Sequence, residues 1–124
     1  MADFIFLYRN TEADAREYMG TPQAAQESMK QWMAWMKDLE AKGHLKSRGE
    51  PLERTGKVVK GPNKQVIDGP FAEAKDIVSG FSIVEAKDEA EALDLARGCP
   101  LLRGSGSVEV RAVMKLPITR SVSM

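Results

Sequence analysis

Five apolar residues in a row, Phe4-Ile5-Phe6-Leu7-Tyr8, constrain the fold more than any other segment of the chain. The run is short, β-branched and aromatic, and it stops at the turn-prone Asn10, which is the pattern of a strand. Side chains alternate along a strand, so Phe4, Phe6 and Tyr8 take one face and Ile5 and Leu7 the other. A strand that is apolar on both faces belongs in the middle of a sheet and is covered on both sides.

The cover comes first from two helical patterns. Asn10 to Gly20 is polar and charged, and reads as a loop or a short helical turn. Thr21-Pro22 then supplies a hydroxyl cap followed by proline at the first helical position. The spacing predicts a helix to Lys42, stopped by Gly43 in a left-handed cap. Met29, Trp32, Met33, Met36 and Leu39 fall on one stripe facing the sheet, with Trp35 at its edge. A second helix opens at Asp88, three residues before Glu91 in a variant of the capping box, and runs to Arg97 before Gly98 and Pro100.

Extended segments fill the rest. Leu45 to Asp68 alternates short stretches with turns at Gly49, Pro51, Gly56 and Gly61-Pro62-Asn63. Within it, Val58-Val59-Lys60 and Gln65-Val66-Ile67 read as short edge strands. Ser79 to Ala86 is a strand with Phe81 and Ile83 on one face and Ser82 and Val84 on the other. Val108 to Leu116 alternates as the last strand. This order predicts an α+β fold: a largely antiparallel sheet of four or five strands with two helices on one face, a ferredoxin-like α/β plait.

Two helices cover only one side of such a sheet. The outward candidates, Ile5 and Leu7 or their alternates Phe4 and Phe6, with Val84 and Val113, are apolar. An open apolar face predicts an interface or a ligand wall. A homodimer is therefore expected, with higher assembly compatible; a loop from residues 45–68 folding over the face is the bland alternative.

Length and charge narrow the field. A chain of 124 residues is expected to form one domain over 1–124, ending in a polar tail from 117 to 124. Its 18 basic and 18 acidic residues cancel, so no global field draws in nucleic acid or an anionic membrane. Lys42, Lys46, Arg48, Arg54, Lys57, Lys60 and Lys64 are locally basic but lack interleaved aromatics, and read as a solvated hairpin edge. One cysteine, Cys99, and one histidine, His44, leave no Cys/His zinc set in a single chain. No metal or cofactor is expected. Met1 to Arg9 has no basic region or cleavage site of a signal peptide, so the cytoplasm is the expected compartment.

The most specific string is Asp68-Gly69-Pro70-Phe71-Ala72-Glu73-Ala74-Lys75-Asp76, followed by Ile77 and Ser79-Gly80-Phe81. It resembles the signature D-G-P-F-x-E-x-K-E followed by G-G-F of the DGPF type of YCII-related domain; Asp76 stands for the usual glutamate and Ser79 for the first glycine. Glu109-Val110-Arg111 resembles that family's E-V-R strand. The resemblance implies the α/β plait, dimers or larger assemblies, and an association with extracytoplasmic-function sigma factors. Some relatives carry a His/Asp pair read as an active site, but the histidine position, counted back from Gly43, is Trp32 here. An indole donates one hydrogen bond and cannot shuttle protons as imidazole does.

Several side chains are candidates for chemistry. Asp68, on a Gly-Pro loop, reads either as a base or cation-binding carboxylate or as a turn residue satisfying backbone N–H groups. Glu73 and Lys75 read as ligand contacts or as a solvated ion pair. Trp35 is the better pocket candidate and Trp32 the better core residue, with Arg111 a further ligand contact. His44, the one side chain that titrates near neutrality, suits a helix C-terminus better than catalysis. Cys99 has no base beside it and reads as structural. Together these predict a small-molecule site between the Asp68 loop, the Trp32/Trp35 helix and the sheet, in a binding protein or an enzyme of proton-transfer (lyase or isomerase) type. The alternative is an accessory module that contacts a protein such as a sigma factor.

Overall fold

A computed structural model of the chain describes residues 1–69 and 76–117. The apolar N-terminal run becomes the central strand β1 (Ala2–Asn10). It pairs antiparallel with β5 (Ile77–Ala86) on one side and with β6 (Ser107–Ala112) on the other. The short β2 (Leu45–Ser47) adds to the far side of β5, completing an antiparallel sheet in the order β2-β5-β1-β6. After β2 the chain stays against β5: the Leu52 N–H donates to the Ser79 carbonyl, and the Phe81 N–H to the Glu50 carbonyl.

Alternation along β1 and β5 sorts the sheet into two faces. Phe4, Phe6, Tyr8, Ser82, Val84 and Ala86 are buried on one of them. Val84 is thus a core residue and not one of the outward apolar positions expected from the sequence. The other face carries the directly opposed pairs Ile5–Ile83 and Leu7–Phe81, all half-buried. Charged side chains surround them: Lys46 bonds to Asp3 at 2.5 Å, and Arg9 lies 3.1 Å from Asp76 and 3.5 Å from Glu109.

Among the described residues, three helices and a 3-10 turn accompany the sheet, one helix more than the two read from the sequence. The ambiguous polar segment is a helix, α1 (Glu12–Met19), because the Thr11 hydroxyl accepts from the Asp14 N–H and caps it. The helix α2 (Pro22–Ala41) starts on the Thr21 cap as expected. It ends when the Gly43 N–H donates to the Glu40 carbonyl and the His44 N–H to the Leu39 carbonyl. This pair of bonds requires the left-handed backbone that Gly43 supplies at φ 78°.

The buried stripe of α2 differs from the expected one. Trp35 and Leu39 are buried, while Met29 and Met33 are 56% and 58% exposed. The helix is turned so that Trp32, Trp35, Met36 and Leu39 meet the core. Trp35 stacks on Phe6 at 6.2 Å between ring centroids, and Trp32 meets Tyr8 edge-on at 4.8 Å. Ring contacts of this kind outweigh the flexible methionines, which lose more rotamer freedom on burial.

The last helix, α3 (Glu89–Ala96), has the capping exchange expected of it. The Asp88 carboxylate accepts from the Glu91 N–H at 2.9 Å, and Glu91 reaches back to the Lys87 N–H at 2.9 Å. A 3-10 turn, Pro100–Arg103, then leads to β6, which stops at Ala112 and not at Leu116. Among the described residues, no helix is long and apolar enough to cross a membrane.

Residues 56–69 stand apart. β3 (Gly56–Lys60) and β4 (Gln65–Gly69) pair only with each other, as a separate two-stranded sheet and not as edge strands of the main one. The turn between them is taken by Gly61 and Lys64, both at positive φ. Val58, Val59 and Val66 are exposed on this arm.

Candidate functional site

Asp68 lies within β4 and not on a loop beside the helices, directly across from Lys57 of β3. Its carboxylate accepts from the Lys57 ammonium, and the two side chains are 87% and 67% exposed. Arg54 holds the base of the arm to the main sheet: its guanidinium donates to the Asn10 side chain at 2.7 Å and to the Asn10 carbonyl at 3.2 Å. Between these groups is an open cavity of about 420 Å³ lined by Arg54, Thr55, Gly56, Lys57, Asp68 and Gly69.

This arrangement suits a small polar ligand. Two cations and one carboxylate present complementary charge, and backbone from two strands supplies further donors and acceptors. Proton transfer would ask more of it. A carboxylate that is fully solvated and paired with a lysine lacks the dehydration that turns it into a general base.

The other candidates from the sequence lie elsewhere. Trp35 and Trp32 pack in the core on α2 and line no part of the Asp68 cavity. Trp35, expected at the edge of the helix stripe, is its buried centre. Arg111 is on the open face of the sheet, opposite Ile5. His44 is half-buried after the end of α2, with Nδ1 2.8 Å from the Glu85 carbonyl, so that nitrogen carries the proton and donates. The His44 carbonyl in turn accepts from the Glu85 N–H at 2.7 Å, and both bonds tie the helix end to β5. Glu73 and Lys75 lie outside the described residues, as does the Pro70 to Lys75 part of the signature. A single chain therefore does not bring Asp68, the tryptophans and Arg111 together.

The buried polar groups of the core are structural. The Tyr8 hydroxyl donates to Ser82 Oγ at 2.8 Å, which donates to the Arg48 carbonyl at 2.7 Å. Burial raises the Tyr8 hydroxyl far above its usual range. Cys99 is 3% exposed, and burial pushes its thiol up to about 12, the opposite of what a nucleophile needs. Asp14 is buried and accepts from the Ser105 hydroxyl, tying α1 to the turn before β6. Among the described residues, no group of three or more His, Cys, Asp or Glu side chains is placed to hold a metal ion.

Arg54 and Lys57 are the site residues that the sequence did not single out. Their place within a locally basic stretch suggests a solvated edge; only the folded arm shows Arg54 clamped on Asn10 and Lys57 across from Asp68. No curated protein matches the chain. The family model of the YCII-related domain matches residues 3–117, nearly the whole sequence. Both the signature around Asp68 and the Glu109-Val110-Arg111 stretch of β6 fall inside that span, and the chain belongs to the YCII-related domain family.

Proposed function

We propose that the protein is a homodimer that binds a small polar molecule at the base of the β3–β4 arm, with Asp68, Arg54 and Lys57 as its contacts. The observation that carries this reading is the cavity at those three charged groups, on the arm that holds the family-signature aspartate. In one chain the cavity is wide open, so a second copy is the natural lid. The strand order β2-β5-β1-β6, with β2 parallel to β1 across an antiparallel β5, supports reading the fold as a ferredoxin-like plait. Such a plait leaves one sheet face bare, and here that face has the make-up of an interface, an apolar centre inside a charged rim. Pairing through it supplies the second copy. Covering Asp68 would also dehydrate its carboxylate, the condition under which a proton-transfer reaction becomes accessible.

A second reading is favoured by the arm itself. Exposed valines on a free two-stranded sheet offer a surface to a protein partner. The resemblance to DGPF-type domains makes an extracytoplasmic-function sigma factor the partner to try.

The test is a screen of small polar acids, amines and amino acids by thermal shift, against the wild type, Asp68→Asn and Arg54→Gln. Compounds that stabilise the wild type and lose their effect in both variants support the site. Stabilisation that survives both variants places the ligand elsewhere. A sigma factor retained equally by wild type and Asp68→Asn, with no compound stabilising either, favours the interaction module.

A further inference from the structure

The helix layer contains a second opening, remote in sequence from the arm. A groove of about 400 Å³ separates α2 from the turn that follows α3, lined by Gln31 and Trp35 from the helix and by Arg97, Pro100, Leu102 and Arg103 from the segment across it. Three observations about it converge.

First, Trp35 is 8% exposed, and its indole N–H, which has no protein acceptor among the described residues, belongs to the small accessible part of the ring. The nitrogen is at the groove side of the ring: a methyl group added at Gly98, which also lines the groove, would lie 2.9 Å from Nε1. The absence of a side chain at Gly98 is what keeps the indole N–H accessible.

Second, the charged side chains lining the groove are both cationic. Arg103 has no ion pair among the described residues, and Arg97 shares only an exposed 3.4 Å contact with Asp94. The carbonyls at the end of α3, which would repel an anion, are already engaged by the N–H groups of Arg97, Gly98 and Cys99.

Third, Pro100 and Leu102 give the groove an apolar wall, and the Gln31 amide N–H on its α2 side is already donated to the Glu27 carboxylate at 3.0 Å. An inorganic anion would leave that wall unused. A molecule with one anionic end and one flat apolar end would use all of it.

We propose that this groove is a binding site for a small organic carboxylate. The carboxylate accepts from the Trp35 indole N–H and from the guanidinium of Arg103, with Arg97 adding charge, and the apolar body lies on Pro100 and Leu102. Guanidinium–carboxylate bonds are short, charge-assisted and directional, and the same carboxylate supplies an acceptor for the indole N–H. The site is independent of the arm and of any second copy.

Indole N–H signals in ¹H–¹⁵N spectra of the full chain test this with benzoate as the probe, because the two tryptophans give two signals. Benzoate should shift the Trp35 signal saturably, with a midpoint at or below about 5 mM, and move Trp32 less. Benzamide, of the same shape without the charge, should not saturate. Arg103→Gln, an exposed change, should weaken benzoate about tenfold, and Gly98→Ala should abolish the Trp35 shift by filling the space beside Nε1. If Gly98→Ala fails to fold, Arg103→Gln decides. Absence of a saturable shift, benzamide matching benzoate, or unchanged affinity in Arg103→Gln would each overturn the assignment, whatever the outcome at Asp68.

Discussion

β1 with β5, and β3 with β4, are both antiparallel pairs, yet they end in opposite conditions. On the first, alternate residues are buried beneath helices: Phe6, Ser82 and Val84 have no exposure at all. On the second, Val59 and Val66 are 68% and 62% exposed although they face each other across the ladder. Backbone hydrogen bonds are satisfied in both. What separates them is a second layer, because valines shed water only when something packs on their face. The arm is therefore a feature held out from the body of the fold, and its surface is available for contacts the isolated chain does not make.

Substitutions should expose that contrast. Phe6→Ala removes a ring stacked on Trp35 at the centre of the core and should cost about 3–5 kcal/mol in urea unfolding; a small loss would mean that the two regions are packed more alike than described. Alkaline pH comes next. Tyr8 and Cys99 are held protonated by burial, so each favours the folded state below its unfolded pKa and ceases to do so as pH rises towards its folded one. For Cys99 that window runs from 9.0 to about 12, and stability should fall steadily across it. Unfolding measured at successive pH values checks this, as does a disulfide-exchange reagent, which should find Cys99 unreactive until the chain unfolds. Tyr8→Phe deletes the buried bond to Ser82 and should cost about 1 kcal/mol. On the arm, Asp68→Asn should change stability by less than about 1 kcal/mol, because an exposed ion pair contributes little. Were it to destabilise strongly, the turn role of Asp68 would stand and the ligand role would weaken.

The same division governs how much could be read in advance. Where local rules decide, the sequence is legible: the Thr21 and Asp88 caps, the Gly43 stop and the two-faced N-terminal strand are all present in the fold. Where the choice lies between two apolar surfaces, it did not. Met29, Met33 and Trp35 lie within one turn or two of each other on α2, and hydrophobicity alone could not say which would meet Phe6. Val84 was placed outward because strand alternation gives two faces without naming them; its pairing with Phe4 puts it in the core. The polar composition of α1 hid a helix that its Thr11 cap could have announced. At the site, the signature around Asp68 marked the correct segment, but its strand setting and its Lys57 and Arg54 neighbours depend on a hairpin register that composition leaves open.

One contrast remains, between the two faces of the main sheet. One is sealed by helices, and the other sets Ile5, Ile83, Leu7 and Phe81 side by side within a charged rim. Light scattering on the purified chain at micromolar concentration, repeated with Leu7→Glu, tests most directly whether a second copy seals it. Twice the chain mass is expected for the wild type, and the single-chain mass, still folded, for the variant. A wild type that runs as a clean monomer would contradict this expectation.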